Sequence, residues 1–170
     1  MKAEVIIYEE LTFPAVEALP RDIPLLIPLG EANDYDWDTI IDRVQAKTRS
    51  AALLDRVCVF PAIPYGFRGS LLEVDPKLFK RVIQSLIATL HEDGFTNVHV
   101  INGYGPQGFP TISARRGESR ARPFSPTADQ VALIPTGHTE QHAFHLPLST
   151  DTLIIDAIAR GVEAKLPDTI

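Results

Sequence analysis

The sequence is poor in sulfur and in tryptophan, with one cysteine, one methionine and one tryptophan among 170 residues. A single cysteine excludes a disulfide within the chain, and Cys58 stands in the apolar run VCVF, which predicts a buried, unreactive thiol. No apolar run reaches membrane-spanning length. The opening MKAEVIIYEELTF places acids directly after a short apolar run, which is atypical of a secretion signal. These absences predict a soluble cytoplasmic protein without a membrane partner.

Positive charge is scarce as well, since 16 lysines and arginines face 22 aspartates and glutamates, for a net charge of -6. Binding to a phosphate backbone requires a basic face, so the composition argues against nucleic acid as the main partner. The hydrophobic fraction of 45% and the length of 170 residues predict a globular chain that can bury a core.

Short apolar runs alternate with helical patterns over the first two thirds of the chain. The predicted strands are IPLLIPLG, RVCVFPAIPYG and NVHVING, and the predicted helices lie in ELTFPAVEALP, DWDTIIDRVQAK and DPKLFKRVIQSLIATLHEDG. In the last helix Asp75 is the expected cap, Pro76 the first residue, and Gly94 the stop. The expected apolar stripe of this helix consists of Leu78, Val82, Ile83, Leu86, Ile87 and Leu90. This alternation predicts an α/β fold with a mainly parallel sheet covered on both faces. Sites in such sheets form beyond the carboxyl ends of the strands.

Two further patterns divide the chain. Residues 109–129 contain four arginines and three prolines without apolar periodicity, which predicts a loop or linker. LLIPLG at Leu25–Gly30 resembles ALIPTG at Ala132–Gly137, and similar helical sequences begin at Asp38 and Asp151. The expected organisation is an α/β domain over residues 1–108, a connection over 109–129, and a strand–helix unit over 130–170. Since a lone strand–helix unit cannot bury its strand, it must dock on residues 1–108 or on another chain.

The segment Gly137–Asp151, here called the histidine loop, concentrates chemistry in the second repeat. Three of the five histidines lie there: His138, His142 and His145. Glu140 and His142 are two residues apart, so extended backbone would direct both side chains to one side. Asp151 begins the next helix, and carboxylates with imidazole suit Zn²⁺ or Mn²⁺. The alternative is a polar surface loop with Asp151 as a helix cap.

The histidine loop resembles the creatininase signature: glycine, a small residue, any residue, Glu-Gln-His-Gly-x-His-Leu-Pro, then Thr-Asp. The sequence departs from it at Ala143, where the family commonly has glycine. ELTFPAVEALPRDIPLLIPLG resembles the amino-terminal opening of the family. The resemblance implies a three-layer α/β/α fold that is incomplete here, and metal ligation by Glu140, His142 and Asp151, with Asp151 bridging two ions and His145 lining the site.

The resemblance also implies a metal-dependent hydrolase of cyclic amides or related C–N bonds, with Zn²⁺ or Mn²⁺ and a small-molecule substrate. Two departures limit this inference. In the turn NGYGPQG, Tyr104 stands where the family has a histidine ligand, and Pro106 stands where some members have a glutamate. We expect Tyr104 to lie near the metal ligands or the substrate. Because residues 1–108 lack the histidine loop, we expect them to form a degenerate first copy of the family domain. The later part of the family domain has no counterpart after the second repeat, so we expect a homo-oligomer or partner chain to complete the site.

Several alternatives remain open from the sequence. A non-catalytic structural or regulatory relative would carry the same half-site, and the turn NGYGPQG could instead bind an anion through its backbone amides. In the first repeat, EANDYDWD replaces the histidine loop, with Glu31, Asp34, Asp36 and Asp38. These carboxylates predict a solvated loop with a helix cap, or a makeshift metal site.

Overall fold

A computed structural model describes residues 3–30, 35–48, 55–70, 72–113 and 133–166. It forms two compact units, and each unit consists of two stretches that are separate in the sequence. The first unit combines Met1–Ile7 with Pro20–Arg122, and the second combines Tyr8–Leu19 with Pro123–Ile170. The domain boundaries expected after residues 108 and 129 remain a prediction.

The first unit is built on a five-stranded parallel sheet in the order β1-β3-β2-β4-β5. Its strands are β1 (Glu4–Ile7), β2 (Leu25–Leu29), β3 (Arg56–Val59), β4 (Val98–Asn102) and β5 (Ile112–Ser113). All five residues of β2 are buried, and β2 pairs with β3 on one side and β4 on the other. The three predicted strands and their parallel arrangement are therefore confirmed.

Two helices of this unit connect strands of the sheet in opposite directions. The helix α2 (Trp37–Thr48) leads from β2 to β3, and α3 (Pro76–Glu92) leads from β3 back across β2 to β4. Because parallel crossovers are right-handed, opposite directions place the two helices on opposite faces of the sheet. The result is the predicted three-layer α/β/α fold.

One face of the sheet packs on α2. Leu26 of β2, Val57 of β3 and Ile101 of β4 form a buried cluster with Ile40, Ile41 and Val44 of α2 and with Tyr35 and Ile112. The Arg43 guanidinium donates to the Ser113 carbonyl and so ties the short β5 to α2. The strand β5 lies within the stretch predicted as a connection, whereas residues 114–129 of that stretch lie outside the described residues.

The helix α3 has the predicted ends and buries part of its predicted apolar stripe. The Asp75 carboxylate accepts hydrogen bonds from the Lys77 and Leu78 amides at 2.8 and 3.2 Å, and Gly94 follows the helix with φ of +92°. The buried residues are Phe79, Ile83 and Leu90. Leu78 and Val82, predicted for the apolar stripe, are exposed. That part of the prediction was wrong, because the packing neighbours and not the periodicity decide which face is buried.

The second unit contains a 3-10 helix (Tyr8–Glu10), α1 (Phe13–Glu17) and α4 (Thr150–Lys165). The Leu148 amide donates to the Leu11 carbonyl at 3.0 Å, and the Ser149 amide donates to the Glu9 carbonyl at 2.9 Å. These two bonds hold the amino-terminal segment against the end of the histidine loop. No described helix of the chain is long and apolar enough to cross a lipid bilayer.

The strand predicted at Ala132–Gly137 is not formed over its described residues. Residues 133–140 have no regular secondary structure, and Leu133 and Ile134 are 42% and 59% exposed. The corresponding run in the first repeat, β2, is fully buried between two hydrogen-bonded neighbours. A strand needs such partners, and none of the described residues of the second unit forms a strand beside 133–137. The similarity of these two apolar runs is thus one of sequence and not of structure over the described residues, whereas the helix that follows is formed in both copies.

Candidate metal centre

The structure brings Glu140, His142 and Asp151 together in the second unit. One ligand atom of each lies within 4.8 Å of the others. In the described part of the chain, no other group of three or more histidine, cysteine, aspartate or glutamate side chains is arranged in this way. Asp151 is the second residue of α4 and accepts a bond from His142, so it does not act as the helix cap.

Two hydrogen bonds fix the His142 ring. Its Nδ1 lies 3.0 Å from the Glu140 carbonyl oxygen, and its Nε2 lies 2.8 Å from Asp151 Oδ1. Because a carbonyl only accepts, Nδ1 carries a proton and Nε2 faces the carboxylate. The bond to the Glu140 carbonyl raises the pKa of His142, partial burial opposes this rise, and the Asp151 carboxylate adds to it. A backbone bond at Nδ1 that leaves Nε2 directed at acidic oxygens is the usual arrangement of a metal-binding histidine.

Short-range bonds close the loop that carries these groups. The Glu140 amide donates to the Leu148 carbonyl at 3.2 Å, and the Thr150 hydroxyl donates to the Pro147 carbonyl at 2.6 Å. Leu148 is buried beneath the loop. Ala143 has a φ of +56°, a left-handed conformation that favours glycine, at the position where the creatininase signature has glycine. The loop therefore keeps a turn suited to glycine although an alanine occupies it.

Gly137 brings the loop against the first turn of α4. A Cβ atom at this position would lie 2.7 Å from the Thr152 nitrogen and 3.0 Å from the Asp151 carbonyl carbon. These are backbone atoms that cannot move aside without disturbing the helix. Only glycine allows this approach, and it places residue 138 beside the helix turn that carries Asp151.

The remaining predicted site residues lie elsewhere. His145 is exposed at the surface of the second unit. Tyr104 belongs to the first unit, where its ring packs edge-on against Phe67 at a centroid distance of 4.7 Å. Its amide donates to Asn102 Oδ1 at 2.8 Å, and its ring leaves no room for a side chain at Gly30. The roles given to His145 and Tyr104 near ligands or substrate remain predictions.

The acidic stretch of the first repeat is described only in part. Glu31 and Asp34 lie outside the described residues. Asp36 caps α2, because its Oδ1 accepts from the Thr39 amide at 3.5 Å, and its Oδ2 accepts from the Thr39 hydroxyl at 2.6 Å. Asp38 is exposed in the first turn of α2. The described residues thus agree with the helix cap and give no support to a makeshift metal site there.

A groove of about 370 Å³, which no pattern in the sequence predicts, lies beside the first turn of α4. Its lining residues are Glu9, Glu10, Pro147, Ser149, Thr152 and Leu153. Burial, and then repulsion from Glu10, raises the pKa of Glu9. The hydrogen bond from the Ser149 amide to the Glu9 carbonyl holds the segment with both glutamates beside the groove. This pairing joins residues that are far apart in the sequence, so no local pattern reveals it.

The donor set suits a divalent ion. One imidazole nitrogen and two carboxylate oxygens are ligands that Zn²⁺ and Mn²⁺ both accept. In a tetrahedral zinc site, metal–ligand bonds of about 2.0–2.2 Å place the ligand atoms roughly 3.4 Å apart. The three donors, within 4.8 Å of one another and adjustable by side-chain rotation, therefore fit such an ion.

Comparison with known proteins finds a family model to which the last third of the chain is similar. Residues 118–170 match the family model described as creatininase, creatinine amidohydrolase. That range contains the whole histidine loop and α4. The resemblance to the creatininase family is therefore confirmed for residues 118–170.

Particular relatives share part of this chain. A mycofactocin precursor peptide peptidase of Mycobacterium tuberculosis is 54% identical over 41 residues, which are 24% of this chain and 16% of the relative. The protein of the same name from Mycobacterium ulcerans is 56% identical over 34 residues, or 20% of this chain and 14% of the relative. The matched stretch is thus less than a fifth of either relative. No solved structure matches the chain.

Proposed function

We propose that this chain is a metal-dependent hydrolase of creatininase type that cleaves a C–N bond of a small amide. Glu140, His142 and Asp151 would hold the ion, Zn²⁺ or Mn²⁺, as one ion or as part of a two-ion site. The observation that carries the proposal is the convergence of these three donors within 4.8 Å on the segment that matches the family.

The residues of the chain have separate tasks in this proposal. The Glu140 carbonyl orients the His142 ring so that Nε2 is free of its proton when an ion binds. Asp151, at the amino-terminal turn of α4, supplies a carboxylate oxygen 2.8 Å from that nitrogen. A divalent ion held there supplies Lewis acidity, which polarises the amide carbonyl and lowers the pKa of water. The groove beside the same helix turn, which none of the three donors lines, would receive a small substrate.

The substrate class has two candidates. The family description names creatinine, a cyclic amide, whereas the mycobacterial relatives are named as peptidases. We favour a cyclic amide or another non-peptide C–N bond, and short peptides form the second class to be assayed. Three ligands leave further coordination positions open, so a second copy of the chain or a partner chain would complete the centre.

The first test is the metal content of the purified chain. We expect one or two Zn²⁺ or Mn²⁺ ions per chain by mass spectrometry, and loss of most of that metal in His142→Ala, since the variant removes the imidazole donor. His91→Ala is the matched control, because His91 is an exposed histidine of α3 in the first unit. A wild-type chain that binds no transition metal at micromolar concentration, alone or as an oligomer, contradicts the proposal.

A non-catalytic relative is the second candidate. The observation that favours it is Tyr104, which packs on Phe67 where the family pattern has a ligand histidine. Such a protein would associate with a complete creatininase-type subunit and hydrolyse nothing by itself. Turnover of a cyclic amide or a peptide by the isolated chain, abolished in His142→Ala, would exclude this candidate.

A further inference from the structure

We infer that the groove beside the first turn of α4 binds an organic cation, a guanidinium or primary ammonium group on a short apolar stem. Glu9 and Glu10 would pair with the positive charge, and the Ser149 hydroxyl would accept a hydrogen bond from it. The inference rests on the proposed function only where it makes this cation a part of the substrate. The residues that line the groove all belong to the second unit.

The groove combines negative charge with apolar surface. Among the described residues that line it, Glu9 and Glu10 are the charged ones, while Pro147 and Leu153 offer apolar contact. Pockets that bind small molecules have this composition, in which a few polar or charged groups within an apolar surround fix the orientation of the ligand. The volume of about 370 Å³ is far larger than a metal ion needs, and the described lining residues form no group of three metal donors. The groove therefore suits an organic molecule.

The Ser149 hydroxyl is buried without a partner among the described residues. Ser149 lines the groove and is only 8% exposed. Its hydroxyl makes no capping bond to α4, and no described residue forms a hydrogen bond with it. Buried hydroxyls without a partner are rare, because they lose their bonds to water and gain none in return. An N–H donor of a ligand in the groove would supply that bond.

The backbone fixes the two carboxylates at this place. The Ser149 amide donates to the Glu9 carbonyl at 2.9 Å, which ties the 3-10 helix with both glutamates to the start of α4. Burial and then repulsion from Glu10 raise the pKa of Glu9, and a positive charge in the groove would offset both effects. The amino terminus of α4 carries only about half a positive elementary charge, which two carboxylates outweigh. Guanidinium and ammonium groups pair with carboxylates through charge-assisted hydrogen bonds.

The experiment is an NMR titration of the ¹⁵N-labelled full chain, with and without a chelator that removes metal. The probes are n-butylguanidinium and n-butylammonium, with n-butanol and butyrate as the neutral and the negative comparison. We expect both cations to shift the amide signals of Glu9, Ser149 and Thr152 in a saturable way, with the millimolar dissociation constants of very small ligands. Butanol and butyrate should leave these signals unchanged.

The double variant Glu9→Gln with Glu10→Gln removes both charges from the groove. Since a partly exposed charge pair contributes up to about fivefold in affinity, we expect the binding of butylguanidinium to weaken roughly tenfold. The matched control is Glu17→Gln with Glu163→Gln, which removes two exposed carboxylates of the same unit that do not line the groove. Equal weakening in both double variants overturns the inference, because net charge and not the groove would then attract the probe.

Ser149→Ala separates binding from folding. Loss of one neutral hydrogen bond should weaken the binding of butylguanidinium roughly two- to tenfold. Because no described residue pairs with the hydroxyl, the variant should keep the unfolding free energy of the wild type when no probe is present. A loss of stability with unchanged affinity would assign the hydroxyl to the fold and overturn its role in binding.

The titration and the metal measurement fail separately. Wild-type signals that do not move even at tens of millimolar butylguanidinium overturn this inference, and the metal content of the chain still tests the proposed centre. A chain that binds the cation through Glu9 and Glu10 but holds no metal keeps the binding site and overturns only the proposed hydrolysis.

Discussion

At the scale of single residues, Ala143 is the strained member of the histidine loop. Its φ of +56° lies in the left-handed region, which costs a residue with a Cβ about 1–2 kcal/mol. Glycine removes that cost but gains entropy in the unfolded chain, which offsets up to about 1 kcal/mol. We therefore expect Ala143→Gly to raise the free energy of unfolding by up to about 1 kcal/mol in urea titrations.

The control for Ala143→Gly is Ala157→Gly. Ala157 is exposed in the interior of α4, where glycine lowers stability by about 1 kcal/mol. The two substitutions are chemically identical and should change stability in opposite directions. Equal losses of stability in both variants would show that position 143 is not strained in solution.

The sequence predicted the composition of the candidate centre better than its surroundings. The two-residue spacing of Glu140 and His142 and the position of Asp151 at a helix start are local patterns, and the structure brings those three residues together. The carbonyl bond to His142 Nδ1 and the close approach of Gly137 depend on how the backbone folds back on α4. No residue type announces such contacts, so they could not be predicted.

At the scale of elements, the end of β2 packs against the turn that follows β4. Gly30 lies at the end of β2, and the ring of Tyr104 in the turn packs directly on it. A Cβ at Gly30 would lie 2.6 Å from Tyr104 Cε2, and Gly30 has a φ of +117°. The conformational cost of about 1–2 kcal/mol and the overpacking cost of about 1–3 kcal/mol add up in Gly30→Ala. We expect this variant to lose about 2–5 kcal/mol of unfolding free energy in urea.

Gly105→Ala isolates the conformational part of that loss. Gly105 also has positive φ, at +98°, but no atom lies within 4 Å of its would-be Cβ. Its alanine variant should lose only about 1–2 kcal/mol. In the double variant with Tyr104→Ala, the Gly30→Ala loss should shrink to that value, because the ring has gone. A Gly30→Ala loss unchanged by Tyr104→Ala would contradict the contact.

Elements defined by local chemistry were predicted well. The cap and first residue of α3 follow from Asp75 and Pro76, whose side chains act within one turn. Three buried apolar runs were also predicted as strands, but the short edge strands β1 and β5 were not. The strands β1 and β5 exist because β3 and β4 offer them hydrogen bonds, and ALIPTG fails to form a strand among the described residues because it has no such partner.

At the scale of the whole molecule, stability should depend on pH through His99. Burial, and then the positive charge of Lys47, lowers the pKa of His99 to about 4, from 6.5 in an exposed state. The unfolded chain binds a proton at His99 more tightly than the folded chain does. The contribution of neutral His99 to the free energy of unfolding is therefore complete above pH 6.5 and is lost as the pH falls toward 4. The side chain is only partly buried, so we expect a loss on the order of 1–3 kcal/mol between pH 7 and 4.

Urea unfolding of the wild type, His99→Gln and His91→Gln at pH 7 and 4 measures this dependence. Part of the unfolding free energy that is lost between pH 7 and 4 is caused by His99. That part should vanish in His99→Gln and persist in His91→Gln, since His91 is exposed on α3. Parallel pH profiles for all three proteins would assign the loss of stability at low pH to other groups.

The predicted burial of Cys58 is confirmed, and burial raises its thiol pKa to about 12, so this group stays neutral over the same range.

The route of the chain between the two units could not be read from the sequence. Glu10–Gly30 resembles the opening of the family domain, yet its part up to Leu19 belongs to the unit of the histidine loop, whereas the residues from Pro20 onward belong to the unit of the sheet. The reason lies in two backbone bonds, from Leu148 and Ser149 to the carbonyls of Leu11 and Glu9. Backbone groups are the same in every residue, so no composition or periodicity marks their partners.

That route has a consequence for any break in the chain. A single proteolytic cut between residues 20 and 122 leaves Tyr8–Leu19 on one fragment and Pro123–Ile170 on the other, and it divides the first unit as well. Neither unit is then carried by one polypeptide. The two fragments would hold each other by non-covalent contacts alone, migrate as one particle under native conditions, and separate only when denaturant dissolves those contacts.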